Sequence, residues 1–128
     1  MNSQVLVLDA GALIGVDRRS AHVQGLLKRA RLRGASIFVP AAVVAQAVRG
    51  GGRQANLWNF LADSSLRFVS LDYPSALEIG ALLGQSGTAD VVDAAVIVSA
   101  RRLGYCPVVT SDPEDLRKID PSVPLITI

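Results

Sequence analysis

Short, almost continuous apolar runs alternate along this chain with longer helical patterns, and that alternation restricts the fold more than any other feature. "QVLVLD", "SIFVP", "LRFVSL", "CPVVTSD" and "PLITI" read as strands. Between them lie "SAHVQGLLKRARLRG", amphipathic and closed by Gly34 as a C-cap, then "AAVVAQAVRG", "RQANLWNFLADS" and "PSALEIGALLGQSG". Two further helices follow in "TADVVDAAVIVSARRLG" and in "PEDLRKID", which Pro113 begins. Strands without polar alternation are buried on both faces, so the pattern calls for an α/β fold with a mostly parallel sheet covered by helices. No repeat, linker or low-complexity stretch divides the chain. Residues 1–128 are therefore expected to form one domain, with Gly50 to Gly52 as an internal loop.

Composition narrows the function classes. Half of the residues are hydrophobic (50%), yet no apolar run approaches the ~20 residues of a membrane span, so no membrane partner is expected. The start, "MNSQVLVLDAG", has no basic lead and its apolar run stops at Asp9; it reads as a first strand and not as a signal peptide. Cys106 is the single cysteine and can form neither an internal disulfide nor a cysteine metal site, in keeping with a reducing, cytoplasmic setting. A net charge of +2 permits nucleic-acid binding. Lys28 to Arg33 and Arg101/Arg102 fall near helix C-termini, where they also complement the helix dipole.

The acids are the informative residues. Asp90 and Asp93 stand three apart at the start of a mostly apolar helix, about 5–6 Å from each other on one face. Asp9 ends the first strand and Asp112 ends "VVTSD". In open parallel sheets, ligands bind beyond the carboxyl ends of the strands, and helix N-termini lie at that same rim. Each acid taken singly also reads as a cap, since carboxylates satisfy free N–H groups in a first turn. Together they repel one another unless a cation sits between them or some take up protons. Oxygen-only donors select Mg²⁺ or Mn²⁺, and one histidine with one cysteine leaves no material for zinc. Such a site suits phosphodiester hydrolysis, the metal activating water and neutralising charge on the phosphate. Thr110 and Ser111 are expected to orient ligands or a phosphate, or else to bond the backbone of a turn.

The segments "VLVLDAGALIG", "VPAAVVAQAVRGG", "DVVDAAVIVSARRLG" and "VVTSDPEDL" resemble, in order, the acidic-site segments of PIN-domain ribonucleases, with the VapC toxins of bacterial toxin–antitoxin pairs most similar. The resemblance implies a PIN-like three-layer α/β/α sandwich and Mg²⁺- or Mn²⁺-dependent endoribonuclease activity. It also implies RNA as substrate, a VapB-type antitoxin as partner, and a homodimer. Carried over by position, Asp9, Asp93 and Asp112 are the catalytic metal ligands, with Asp90 and Asp115 as accessory acids. Gln46 departs from the pattern: it stands where the family usually has glutamate, keeping the reach but losing a charge. A catalytically weakened or inactive module that binds RNA and antitoxin is the alternative expectation. Arg49 and Arg53 flank the glycine loop and are expected to contact the RNA backbone. Leu57, Trp58, Phe60 and Leu61 crowd one short helix, so part of that surface, with Leu13 and Ile14, is expected to receive an antitoxin helix.

Overall fold

The computed structural model describes residues 4–128; Met1 to Ser3, the first part of the expected N-terminal strand run, lie outside the described residues. The chain runs β1 (Val5–Leu8), α1 (Ala10–Asp17), α2 (Ala21–Leu32), β2 (Ser36–Pro40) and α3 (Ala41–Ala47). After one 3₁₀ turn (Gly52–Gln54) come α4 (Ala55–Leu61), β3 (Arg67–Val69), α5 (Tyr73–Ser86) and α6 (Val91–Arg102). The last elements are β4 (Val108–Thr110), α7 (Pro113–Ile119) and β5 (Leu125–Thr127).

The five strands form one sheet in the order β3-β2-β1-β4-β5. Every pairing is parallel, so the expectation of a mostly parallel sheet is corrected to a wholly parallel one. The reason is local: at least one helix interrupts each strand-to-strand connection, and no hairpin turn is available to reverse a strand. The central strands carry the most apolar sequence, and Val7, Leu8, Val39, Val108 and Val109 are fully buried. Right-handed crossovers put the helices before β2 and β3 on one face and those before β4 and β5 on the other. The packing agrees: α1 lies on α2, α3 and α4, while α5, α6 and α7 pack on one another.

Helix α6 explains its own composition. Ala94 to Ala100 are all buried, against β1, β2, α3, α5 and α7, and small residues allow that close approach. Only its two ends reach solvent, Arg101 and Arg102 at the last turn and the acids at the first. Helix α1 went unanticipated. Its apolar residues and glycines surround the axis, so no polar face marks it as a helix, and Leu13 is buried under α4. Asp9 caps this helix, its Oδ1 accepting the Ala12 N–H at 3.0 Å. Helix α3 stops at Ala47, short of Gly50, because Val48 turns to extended backbone (φ −78, ψ 130). No single helix among the described residues is long and apolar enough to cross a membrane.

Candidate functional site

The chain winds one way from β1 to β2 and β3, and the other way from β4 to β5. The crevice between the carboxyl ends of β1 and β4 is thus a topological switch point, where open α/β sheets bind ligands. The two strand ends are locked side by side, the Asp9 N–H donating to the Val109 carbonyl at 3.1 Å. A cleft of about 160 Å³ opens there, lined by Asp9, Gly11, Gln46, Asp90, Asp93, Asp112 and Asp115, with Val92 and Val96 forming its apolar wall. Four segments of the chain therefore deliver carboxylates or their neutral analogue to one place.

Each acid has a distinct local role. Asp9 is buried, and burial pushes its carboxyl above the usual range; the Thr110 hydroxyl and Ala12 N–H oppose that, and Asp112 adds to it. Thr110 is fully buried and also accepts the Asp112 N–H at 2.9 Å, so one hydroxyl joins the Asp9 carboxyl to the turn that carries Asp112. Asp90 is the N-cap of α6, its Oδ1 accepting the Asp93 N–H at 2.9 Å. Asp112 occupies the N-cap position of α7 but caps nothing with its side chain, and it lines the cleft. Asp93 is pushed up to about 6, first by burial and then by Asp90, Asp115, Asp9 and Asp112. Mutual repulsion among these acids is thus a property of the folded chain.

The donor chemistry fits a hard divalent cation: carboxylate oxygens with one amide, and no sulfur or imidazole in the cleft. Among the described residues, however, no three His, Cys, Asp or Glu side chains are gathered tightly enough to form a ready-made ligand group. A bound ion would keep waters in its shell, as Mg²⁺ and Mn²⁺ sites ordinarily do.

Other expected residues lie elsewhere. Ser111 faces a neighbouring cleft with Gly11, and not the acids. Arg49 and Arg53 are exposed and do not line the acidic cleft. The Arg49 guanidinium folds back to donate to the carbonyls of Ala45 (3.1 Å) and Val48 (2.9 Å), closing the end of α3. Its backbone N–H donates to Gln54, whose amide donates to Ala47, so Gln54 staples the glycine loop. Leu57 and Leu13 are core residues, 1% and 0% exposed, and offer nothing to a partner. Trp58 (46%) and Ile14 (40%) do remain exposed. Phe60 lines an apolar groove of about 410 Å³ with Val16, Leu27 and Leu32, rimmed by Lys28 and Arg31. Gly11 was missed as a site residue, although its place directly after the strand-end acid was a signal.

The arrangement defines an α/β chain with an oxygen-rich cleft at the switch point of a parallel sheet. No protein-family model and no curated protein matches it. Solved structures do. One is VapBC2 from Rickettsia felis bound to a promoter DNA fragment: 17% identity, 98% of this chain, 99% of that chain and a TM-score of 0.74. A toxin–antitoxin complex from Klebsiella pneumoniae matches at 15% identity, covering 95% and 96% of the two chains, with a TM-score of 0.72. FitAcB from Neisseria gonorrhoeae matches at 18% identity over 95% and 96%, with a TM-score of 0.67. These findings correct the family reading. At 15–18% identity these likenesses show a shared fold and carry no residue roles, and no family match supplies them. The assignment to PIN-domain ribonucleases and VapC-type toxins is therefore withdrawn, and with it the PIN-like designation of the fold.

Proposed function

We propose that this chain is one subunit of a toxin–antitoxin-type pair, with a divalent-cation cleft of weakened catalytic power that engages RNA. The observation that carries the cation site is the convergence of Asp9, Asp90, Asp93, Asp112 and Asp115 on one cleft with Asp93 pushed up to about 6. Folding into that arrangement without a counter-charge is unfavourable, so the site is built for one. Membership of a pair rests on likeness, over nearly the whole chain, to chains from complexes of that kind.

Asp9, Asp93 and Asp112 would hold Mg²⁺ or Mn²⁺, with Asp90 and Asp115 at its margin. Such an ion supplies Lewis-acid activation of water and neutralises phosphate charge. Thr110 keeps Asp9 and Asp112 in register. Gln46 reaches the same cleft, but a carboxamide neither adds charge nor takes a proton, which leaves hydrolysis slow. The protein partner is assigned to the apolar groove of Val16, Leu27, Leu32 and Phe60, whose Lys28 and Arg31 rim suits an acidic amphipathic helix. A second copy of the chain is assigned to the exposed apolar face of Leu71, Tyr73 and Leu77. Cys106 is buried as a free thiol, consistent with action in the cytoplasm.

A fully active endoribonuclease is the second reading, favoured by Asp90 and Asp115, which supply charge that Gln46 lacks. Manganese titration and RNA cleavage, compared among wild type, Gln46→Glu and Asp9→Asn, separate the two. A gain in affinity and rate in Gln46→Glu supports the weakened site. Equal rates in wild type and Gln46→Glu, abolished in Asp9→Asn, support the active enzyme. No metal uptake by the wild type removes both.

A further inference from the structure

Beside the acidic cleft lies a second one of about 400 Å³, lined by Ile14, Arg18, Ser20, His22 and Ser111, with Gly11 shared between the two. Gly11 is the saddle. A Cβ at this position would fall 1.9 Å from Ser111 Oγ and 3.3 Å from Asp9 Oδ1, so only a glycine lets the Ser111 hydroxyl sit there. The two clefts thus adjoin at Gly11, where the Ser111 hydroxyl occupies the space a side chain would take.

Among the described residues the second cleft holds one cation, Arg18, and the chain's single histidine, His22, and neither has a carboxylate partner. Both are exposed to solvent at the cleft. Arg18 follows the last turn of α1 and His22 belongs to the first turn of α2, so the bend between the helices brings them to one rim. An acidic cleft that takes a cation, adjoining a cleft that offers N–H donors and a hydroxyl, matches a ligand carrying repeated anionic groups. A phosphodiester strand is such a ligand.

From this geometry we infer that the Arg18–His22 cleft is a phosphate subsite for a single-stranded RNA whose reacting linkage lies in the acidic cleft. Arg18 presents its guanidinium fork to a phosphate. His22 and the Ser111 hydroxyl donate to the same strand, and Ile14 offers an apolar surface to a ribose or base. The strand then crosses the molecule over Gly11, away from the arginines of the glycine loop. This subsite rests on the reading of the acidic cleft given above.

The test is binding of a fluorescent single-stranded RNA decamer to the full chain in Mn²⁺, followed by anisotropy across a salt series. Arg18→Gln/His22→Gln should lower affinity about tenfold near 100 mM salt and flatten the plot of log K against log[salt] by about 0.7 for each phosphate that the variant no longer neutralises. A mononucleotide, which has no second phosphate to place in the neighbouring cleft, should bind variant and wild type alike in Mn²⁺, and Mn²⁺ should raise the melting temperature of both proteins equally. An unaltered salt slope for the decamer overturns the subsite. So does an equal loss for the mononucleotide. Weakened binding of the protein partner with RNA binding intact would give the cleft to an acidic protein segment instead. A wild type that takes up Mn²⁺ but binds no RNA overturns the subsite and the RNA reading while the cation site stands. A wild type that takes up no Mn²⁺ overturns the cation site itself.

Discussion

Replacing Asp93 with asparagine should stabilise the metal-free protein while destroying its response to metal. Asp93 is raised from 3.8 to about 6, chiefly by burial and by Asp90. That difference of about 2 units corresponds to a ceiling of about 3 kcal/mol against the ionised form at neutral pH. Relaxation of the neighbouring acids and water entering the cleft reduce the gain to about 1–2 kcal/mol, or a rise in melting temperature of roughly 3–8 °C. The pH window follows from the direction of the shift. The folded chain holds the Asp93 proton more tightly than the unfolded chain does. This contribution is therefore complete below the ordinary carboxylate pKa, near 4, and lost as pH rises through about 6. Urea unfolding in EDTA from about pH 3.5 to 8 should show wild type and Asp93→Asn converging at the acid end, diverging between about 4 and 6, and keeping a constant gap above that. With Mn²⁺ at about 100 times its Kd, wild type should gain about 2.7 kcal/mol and overtake the variant. A variant that is no more stable than wild type at high pH in EDTA, or a gap independent of pH, would refute the repulsion argument.

Asp120 should show the opposite pH behaviour. It is buried, which raises its pKa, but bonds from Ser122 and the Arg101 guanidinium at 2.7 Å outweigh burial and lower it. Its contribution is present above the ordinary carboxylate pKa and lost as pH falls through the depressed value. Arg101→Gln, which strands a buried carboxylate, should cost about 2–3 kcal/mol and move acid unfolding to higher pH. Gly11→Ala should destabilise by about 1–3 kcal/mol, because the new methyl meets Ser111 Oγ, and Ser111→Gly should recover part of that loss in a double-mutant cycle of unfolding free energies. Leu32→Lys, at a groove residue 78% exposed, should leave the melting temperature within about 2 °C and weaken partner binding at least tenfold by calorimetry. Retained affinity would take the partner away from the α2–α4 groove.

The strand-end acids were legible because the parallel-sheet rule needs only strand direction, and direction follows from apolar runs separated by helices. Asp9 and Asp112 therefore fell where expected, flanking the switch point. The cap role of Asp90 was legible for the same local reason: it precedes an apolar helical run. Arg49 was not. Whether an arginine after α3 points into the cleft or back along its own helix depends on where that helix stops, and Val48 ends it early. Trp58 and Leu57 are adjacent in sequence, yet one is exposed and the other is core. A helix as short as α4 has no periodicity long enough to assign its faces. Ser111 shows the limit at one residue: β4 ends at Thr110, and the bend that follows carries Ser111 to the other cleft.

Strand order also sets a timetable. β1 is first in sequence, yet it holds the centre of the sheet, and its second neighbour, β4, is delivered only after the chain has passed through β3, α5 and α6. Pairings between such distant segments form late, because the intervening loop must be closed before the pairing rewards it. The acidic cleft draws on an early and a late element of this schedule, Asp9 after β1 and Asp112 and Asp115 after β4. A chain still emerging from the ribosome holds Asp9 and Gln46 long before Asp112 and Asp115 have been synthesised. Any activity that resides in the cleft therefore requires synthesis through Asp115, and a chain that stops short of Asp112 lacks two of the acids that line it.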